Sequence, residues 1–229
     1  EKWRAGLLSF LEQNPGGWNT PAPEVKTQTS TPPKKGEAKK AVAKKTDAKK
    51  PAAAKAEPTD DSKATVQSDG RILIEAKGTQ TSVITLKPGA VRVAAIKIEL
   101  LPDATHKDSI ELNGTHNGMT LAPQFALQKP GARKATDLKP FHADADAKEP
   151  RFAGTVQAPD VKGGWKTSIA QAGKAQTSVW LFDQPADLAE GDALTVTLPN
   201  HTAGCIRVSV SAYHSDFLKA AGRHCSPKP

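Results

Sequence analysis

Two segments near the end of the chain, LTVTL (194–198) and CIRVSVSAY (205–213), show the clearest pattern in the sequence. In both, apolar and polar residues alternate. The apolar positions are Leu194, Val196, Leu198, Ile206, Val208 and Val210. Because successive side chains of a strand point to opposite faces, the alternation predicts two strands, each with one buried face and one face in water.

Seven further short runs precede these segments, rich in β-branched and aliphatic residues and bounded by Gly, Pro, Asn and Asp. They cover residues 71–76, 82–86, 91–101, 119–127, 141–147, 154–157 and 177–182. In the third run the alternation changes phase near Ala94 and Ala95, where a β-bulge fits. Nine short strands with no convincing helix between them predict an all-β fold, an antiparallel β-sandwich.

The composition indicates a second kind of segment. Hydrophobic residues make up 37% of the chain, below the roughly 45% of a compact domain. Residues 26–63 hold eleven lysines against five acidic residues and so carry +6 of the formal net charge of +8. We therefore expect a disordered Lys/Ala/Pro linker, and four regions: a helix (1–19), the basic linker (20–64), the sandwich (65–213) and a tail (214–229).

The lysine-rich segment has two interpretations. It is a soluble linker that its charges keep extended, or an arm that binds polyanions through counterion release. The linker interpretation is favoured because the segment has no aromatic residue that could stack on bases. Nucleic acid is accordingly not an expected partner.

The first residues, KWRAGLLSFLEQ (2–13), place apolar side chains at helical spacing, and Asn-Pro-Gly-Gly (14–17) follows as a stop signal. The pattern predicts a short amphipathic helix that docks on a protein surface. Because the linker would separate it from the sandwich, and because neither a starting Met nor a leader is present, we expect a mature chain or a piece of a longer protein.

Several functional classes are not expected. No apolar run approaches the roughly 18 residues of a membrane-spanning helix. The two cysteines form neither CxxC nor CxxCH, which excludes a Cys-rich zinc site and covalently bound haem in this chain. Neither GxSxG nor HExxH occurs, and the chain is not expected to be an enzyme.

A series of segments resembles one known family when taken in order: AAIKIELLPD (94–103), NGTHNGMTLAPQFAL (113–127), FHADADAKEPRF (141–152), GGWKTS (163–168), SVWLFDQP (178–185), EGDALTVTL (190–198) and GCIRVSVSA (204–212). Together they resemble the β-sandwich module of large exported planctomycete proteins that also contain a c-type cytochrome segment and domains of unknown function. The lysine-rich segment departs from that pattern as an insertion.

The resemblance implies a jelly-roll or galactose-binding-like sandwich that acts as a non-catalytic accessory module of a secreted or periplasmic protein. Its partners would be a polysaccharide or neighbouring domains of the same assembly. Haem would be present only elsewhere in the parent protein. We therefore predict a carbohydrate-binding module, with a structural role in packing against haem or other domains as the alternative.

A candidate Ca²⁺ site lies in HADADAKE (142–149). Asp144 and Asp146 alternate with alanines, so an extended chain places them on one face with His142, and Glu149 lies just beyond. Carboxylate oxygens are the ligands that Ca²⁺ prefers. Alternatively, the alanines pack inward and the acidic side chains face water or pair with Arg151.

The candidate glycan ligands are Trp165, Asn113, His116 and Asn117. An exposed Trp165 between glycines and Lys166 could stack on a sugar ring, whereas Trp180, in an apolar strand, is expected in the core. Asn113 and Asn117 each precede a glycine, so their alternative role is to form turns.

Finally, Cys205 and Cys225 could form a disulfide in an exported protein, the alternative being a buried apolar Cys205 and a free Cys225.

Overall fold

The structure is a computed structural model that describes residues 2–29, 62–153 and 155–212. One sheet contains five strands, in spatial order β1 (Pro23–Thr29), β4 (Gln80–Leu86), β14 (Ala193–His201), β7 (Gln124–Gln128) and β8 (Thr136–Leu138). The other contains six: β2 (Lys63–Val66), β3 (Ile72–Glu75), β15 (Cys205–Ser211), β5 (Arg92–Leu100), β13 (Gln176–Asp187) and β9 (Pro140–Ala145). All pairings are antiparallel, and the two sheets pack as the predicted β-sandwich.

Two short ladders and three 3₁₀ turns complete the described part. β10 (Phe152–Ala153) pairs with β11 (Val156–Gln157), and β6 (Thr120–Leu121) pairs with β12 (Trp165–Lys166). The turns are Ala104–His106, Leu112–Gly114 and Ile169–Gln171. Every predicted strand overlaps an observed one, and the sequence patterns missed β1, β2, β8, β10 and β12.

The core lies between the sheets, and the alternation in β14 and β15 supplies its central residues. All six predicted apolar positions of these strands are buried. In β15, however, Ser209 and Ser211 are buried as well, so the prediction of a wet face is wrong there. The cause is the N-terminal segment: Asn19 forms two backbone hydrogen bonds with Val210, and the hydroxyl of Thr20 lies 2.8 Å from that of Ser209.

The bulge predicted in β5 near Ala94 and Ala95 lies instead in the partner strand β13. Its partner β13 pairs Leu181 with Ala95 and Ala186 with Val93, so the register shifts opposite Ala94. The additional residues belong to β13, between Leu181 and Ala186, rather than to β5. Residues 93–96 are consequently buried in succession, which explains the phase change in the sequence.

The N-terminal region is part of the sandwich. The linker that the sequence predicted to begin at residue 20 does not separate the two. The predicted helix is α1 (Lys2–Gln13), and its Phe10 is buried. β1 pairs with β4 along its whole length, from Pro23 opposite Leu86 to Thr29 opposite Gln80. The linker prediction 20–64 is therefore wrong at both ends, because β1 and the start of β2 lie within it.

The remainder of the predicted linker, residues 30–61, lies outside the described residues. The strands on either side of it are adjacent: the Ser62 hydroxyl donates a hydrogen bond to the Thr27 carbonyl, at 3.0 Å. The segment thus leaves the sandwich from one edge strand and returns to the neighbouring edge strand. It is an insertion between β1 and β2 rather than a connection between a helix and a separate domain.

Replacing residues 31–60 with about six Gly/Ser residues should leave the sandwich folded. The sequence predicts a disordered insertion, so shortening it roughly fourfold lowers the entropic cost of loop closure and should raise the free energy of unfolding by about 1 kcal/mol. Urea unfolding of the variant and the unaltered chain measures the difference. A loss of cooperative unfolding would show that the insertion contributes essential structure.

Candidate binding cleft

Trp165 is a core residue. Its side chain is 0% exposed, its strand pairs with β6 opposite Leu121, and its Nε1–H donates a hydrogen bond to the Ala147 carbonyl at 2.8 Å. The indole has no accessible face, so the hypothesis that Trp165 stacks on a sugar is wrong. Trp180 is buried against Phe125, as predicted, with ring centroids 5.7 Å apart.

The three candidate Ca²⁺ ligands are each bonded to a different partner. Asp144 pairs with Lys148, Asp146 Oδ1 accepts a hydrogen bond from Thr177 N–H at 2.7 Å, and Glu149 Oε1 accepts one from Ile169 N–H at 3.1 Å. Within the described residues no group of three or more His, Cys, Asp or Glu is arranged to hold a metal ion. The structure therefore does not form the predicted Ca²⁺ site.

The alternation of buried and exposed side chains on which the Ca²⁺ prediction was based is nevertheless present. Ala143 and Ala147 are buried, and Asp144 and Asp146 are exposed. Desolvation raises the pKa of Asp144, but hydrogen bonds from Lys148 and from the Ala145 N–H outweigh it and place the pKa below its usual value. The acidic side chains are thus surface groups that pair with Lys148 and the backbone rather than with Arg151.

The candidate loop residues do not form one site. Asn113 has the left-handed backbone conformation expected of a turn former, with φ of 59°, and its Nδ2 donates to the Ala76 carbonyl at 3.4 Å. His116 and Asn117 are exposed. The next residue, Gly118, donates its N–H to the buried carboxylate of Glu111 at 2.8 Å. A Cβ at Gly118 would lie 2.9 Å from Ile169 Cγ1, so this part of the loop faces a different neighbour from Asn113.

A cleft of about 280 Å³ lies instead between residues 148–152 and residues 157–161. We call it the Phe152 cleft. Phe152 is 62% exposed, in contrast to the buried aromatic rings of Phe125, Phe182 and the two strand tryptophans. It begins the hairpin of β10 and β11, where it pairs with Gln157. Buried Val161 contributes to the wall of the cleft, and Glu149 is the one candidate residue from the sequence that lines it.

Arg151 fixes the chain at the base of the hairpin. Its Nη1–H donates to the Gly164 carbonyl at 2.6 Å, and its own carbonyl accepts from Ala158 N–H at 2.8 Å. A Cβ at Gly163 would lie 3.2 Å from Arg151 Nη1, and one at Gly164 would lie 3.4 Å from it. The two glycines before Trp165 therefore make room for the Arg151 guanidinium. In the sequence alone, the same two glycines were compatible with an exposed tryptophan.

The other walls are also held by backbone hydrogen bonds. Glu149 N–H donates to the Lys166 carbonyl at 2.9 Å, and Val161 N–H donates to the Ala143 carbonyl at 3.0 Å. Asp160 Oδ1 accepts from Lys162 N–H at 3.2 Å. The cleft thus combines an exposed ring with carboxylate, amide, ammonium and guanidinium groups on a fixed backbone.

Cys205, at the start of β15, is fully buried, and burial raises the pKa of its thiol to about 11. Cys205 is therefore a small core residue, and if it is a free thiol it stays protonated at neutral pH. The proposed partner, Cys225, lies outside the described residues, as does the whole predicted tail 214–229. The Cys205–Cys225 disulfide stays a prediction.

Comparisons of the chain with protein-family models, curated proteins and solved structures found no match. The resemblance to the planctomycete module therefore rests on the quoted sequence segments alone. None of the described helices is both long and apolar enough to cross a membrane.

Proposed function

We propose that this chain is a non-enzymatic β-sandwich module that binds carbohydrate in the Phe152 cleft, as an accessory part of a larger secreted or periplasmic protein. The observation that carries the proposal is the exposed ring of Phe152 beside polar side chains on a fixed backbone. An aromatic face packs against the C–H face of a sugar, and the surrounding polar groups exchange hydrogen bonds with its hydroxyls.

The chemistry of the cleft provides both kinds of hydrogen-bonding partner. Glu149 and Asp160 accept, Lys148 and Arg151 donate, and the Gln157 amide does both. The backbone bonds that anchor Glu149, Arg151 and Val161 hold the walls before a ligand arrives, which lowers the entropic cost of binding.

Affinity electrophoresis of the full chain through gels containing neutral or sulfated polysaccharides tests this proposal. We expect retardation by at least one polymer and its loss in Phe152→Ala. Val156→Ala is the matched control: Val156 is 69% exposed on the same hairpin, but it is not part of the cleft wall. Both changes are at exposed positions and should alter stability by no more than about 0.5 kcal/mol.

Equal retardation of Phe152→Ala and the unaltered chain would contradict the assignment to this cleft. If the retardation occurs only on sulfated polymers, falls steeply with salt and is lost when residues 31–60 are replaced, the insertion is the polyanion-binding element instead.

The second candidate function is an assembly role, in which the hairpin docks on haem-containing or other domains of the parent protein. The specific observation in its favour is that Phe152 and Val156 are both exposed, one on each face of this hairpin, so a partner that encloses the hairpin would cover both. Absence of retardation on every polymer would favour this role, and both substitutions should then weaken association with the neighbouring domains.

A further inference from the structure

A second pocket, of about 440 Å³, lies between two loops of the sandwich. The end of β3 contributes Glu75, the turn after it contributes Ala76 and Lys77, and the segment after β5 contributes Thr105, His106 and Asn113. We call it the His106 pocket. Among the described residues it shares no lining residue with the Phe152 cleft, and Ala76 is the one apolar residue that lines it. A pocket of this volume is large enough for a small polar molecule.

His106 is the buried residue of this pocket, at 4% exposure. Its Nδ1 accepts a hydrogen bond from Asn113 N–H at 3.3 Å, so the neutral ring carries its proton on Nε2. Nε2 is buried and has no hydrogen-bond partner among the described residues. A Cβ at Gly204 would lie 2.2 Å from the ring's Cδ2, so the imidazole fits only against glycine. An unpaired buried donor is unfavourable in a folded protein.

The backbone around His106 is strained as well. Lys107, Asp108 and Asn113 have φ of 55°, 57° and 59°, and they are three of the four non-glycine residues with positive φ in the described part. The conformation is nonetheless fixed, because Asp103 Oδ1 accepts hydrogen bonds from the Thr105 N–H and hydroxyl at 2.9 and 2.7 Å. The unpaired Nε2 lies on the ring edge that faces Gly204, so the polar groups offered to the pocket come from the other lining residues. Backbone conformations of this kind, held in place by neighbouring hydrogen bonds, are common at binding sites.

We propose that the His106 pocket binds a small zwitterionic solute of amino-acid size. The lining carries one carboxylate, Glu75, and one ammonium, Lys77, and neither makes an ion pair within the described residues. A ligand ammonium complements Glu75, and a ligand carboxylate complements Lys77. Asn113 and Thr105 add hydrogen-bonding groups, and the lack of an aromatic ring among the described lining residues distinguishes this pocket from the glycan cleft.

Isothermal titration calorimetry of the full chain with a panel of common L-amino acids tests the proposal. At least one should bind, whereas the amine without its carboxylate and the acid without its ammonium should bind at least about tenfold more weakly. Glu75→Gln and Lys77→Gln should each weaken binding by a similar factor. Lys174→Gln, an exposed change outside both sites, and Phe152→Ala should leave it unchanged.

Failure of every amino acid to bind the unaltered chain would overturn the proposal. Binding that Glu75→Gln and Lys77→Gln leave unchanged would also overturn it, because the ligand would then lie elsewhere. Since Phe152 is not in this pocket, loss of glycan binding in Phe152→Ala has no bearing on the result.

Discussion

Trp165→Ala should lower the free energy of unfolding by about 3–5 kcal/mol, the range for removing a large buried aromatic side chain. The substitution removes a fully buried indole and leaves the Ala147 carbonyl without the N–H that Trp165 donates to it. Urea unfolding measures this loss. The dependence of the free energy of unfolding on urea concentration should be the same for each variant, and the same data check this.

Two comparisons separate this effect from a binding effect. Trp165→Phe retains most of the ring volume but not the N–H, so its destabilisation should be smaller. Phe152→Ala should alter stability by no more than about 0.5 kcal/mol while it abolishes glycan retardation. Near-normal stability of Trp165→Ala would contradict the placement of this indole in the core.

The stability of the fold should decrease as the pH falls from about 6.5 to about 4, because of His201. This side chain is buried in β14, where Nδ1 accepts from Ala203 N–H at 3.1 Å and Nε2 lies 2.9 Å from the Ser82 hydroxyl. Burial lowers the pKa of His201 to about 4, against an ordinary value of 6.5. Between pH 6.5 and pH 4 the unfolded chain binds a proton on His201 that the folded chain does not. The contribution of His201 to the free energy of unfolding is therefore fully present above pH 6.5 and is lost as the pH falls to about 4, by roughly 3 kcal/mol in total.

His201→Gln provides the test, because glutamine can still hydrogen bond but does not titrate. Free energies of unfolding at about pH 7 and about pH 4.5 should differ less in this variant than in the unaltered chain. Carboxylates that titrate in the same range affect both proteins alike. His116→Gln, at an exposed histidine, should retain the full pH dependence. An unchanged pH dependence in His201→Gln would assign the effect to other groups.

The fold could be predicted where burial on one face produces alternation, as in β14 and β15. The two strands at adjacent edges, β1 and β2, were missed because edge strands tolerate polar side chains. Val25 is the one large aliphatic residue of PEVKTQT, and three of the four residues of KATV are exposed. β1 forms a strand because it pairs with β4, which is distant in the sequence. β2 forms a strand because it pairs with β3, from which a turn separates it.

The candidate site was less predictable because exposure and partners depend on tertiary contacts. The alternation in HADADA correctly separated buried and half-buried alanines from exposed acids, but it could not show that Thr177 and Ile169 supply N–H groups to Asp146 and Glu149. Likewise, the glycines before Trp165 accommodate Arg151. Phe152 has no distinctive sequence context, so its exposure became evident only from the hairpin in the structure.

The most direct test of the central claim is a ¹H–¹⁵N NMR titration of the full chain with an oligosaccharide of whichever polymer retards it. We expect the largest amide shifts in residues 148–152 and 157–161, the two walls of the Phe152 cleft, and we expect Phe152→Ala to abolish them. Shifts confined to the His106 pocket or to residues 30–61, with the cleft amides unmoved, would contradict this claim.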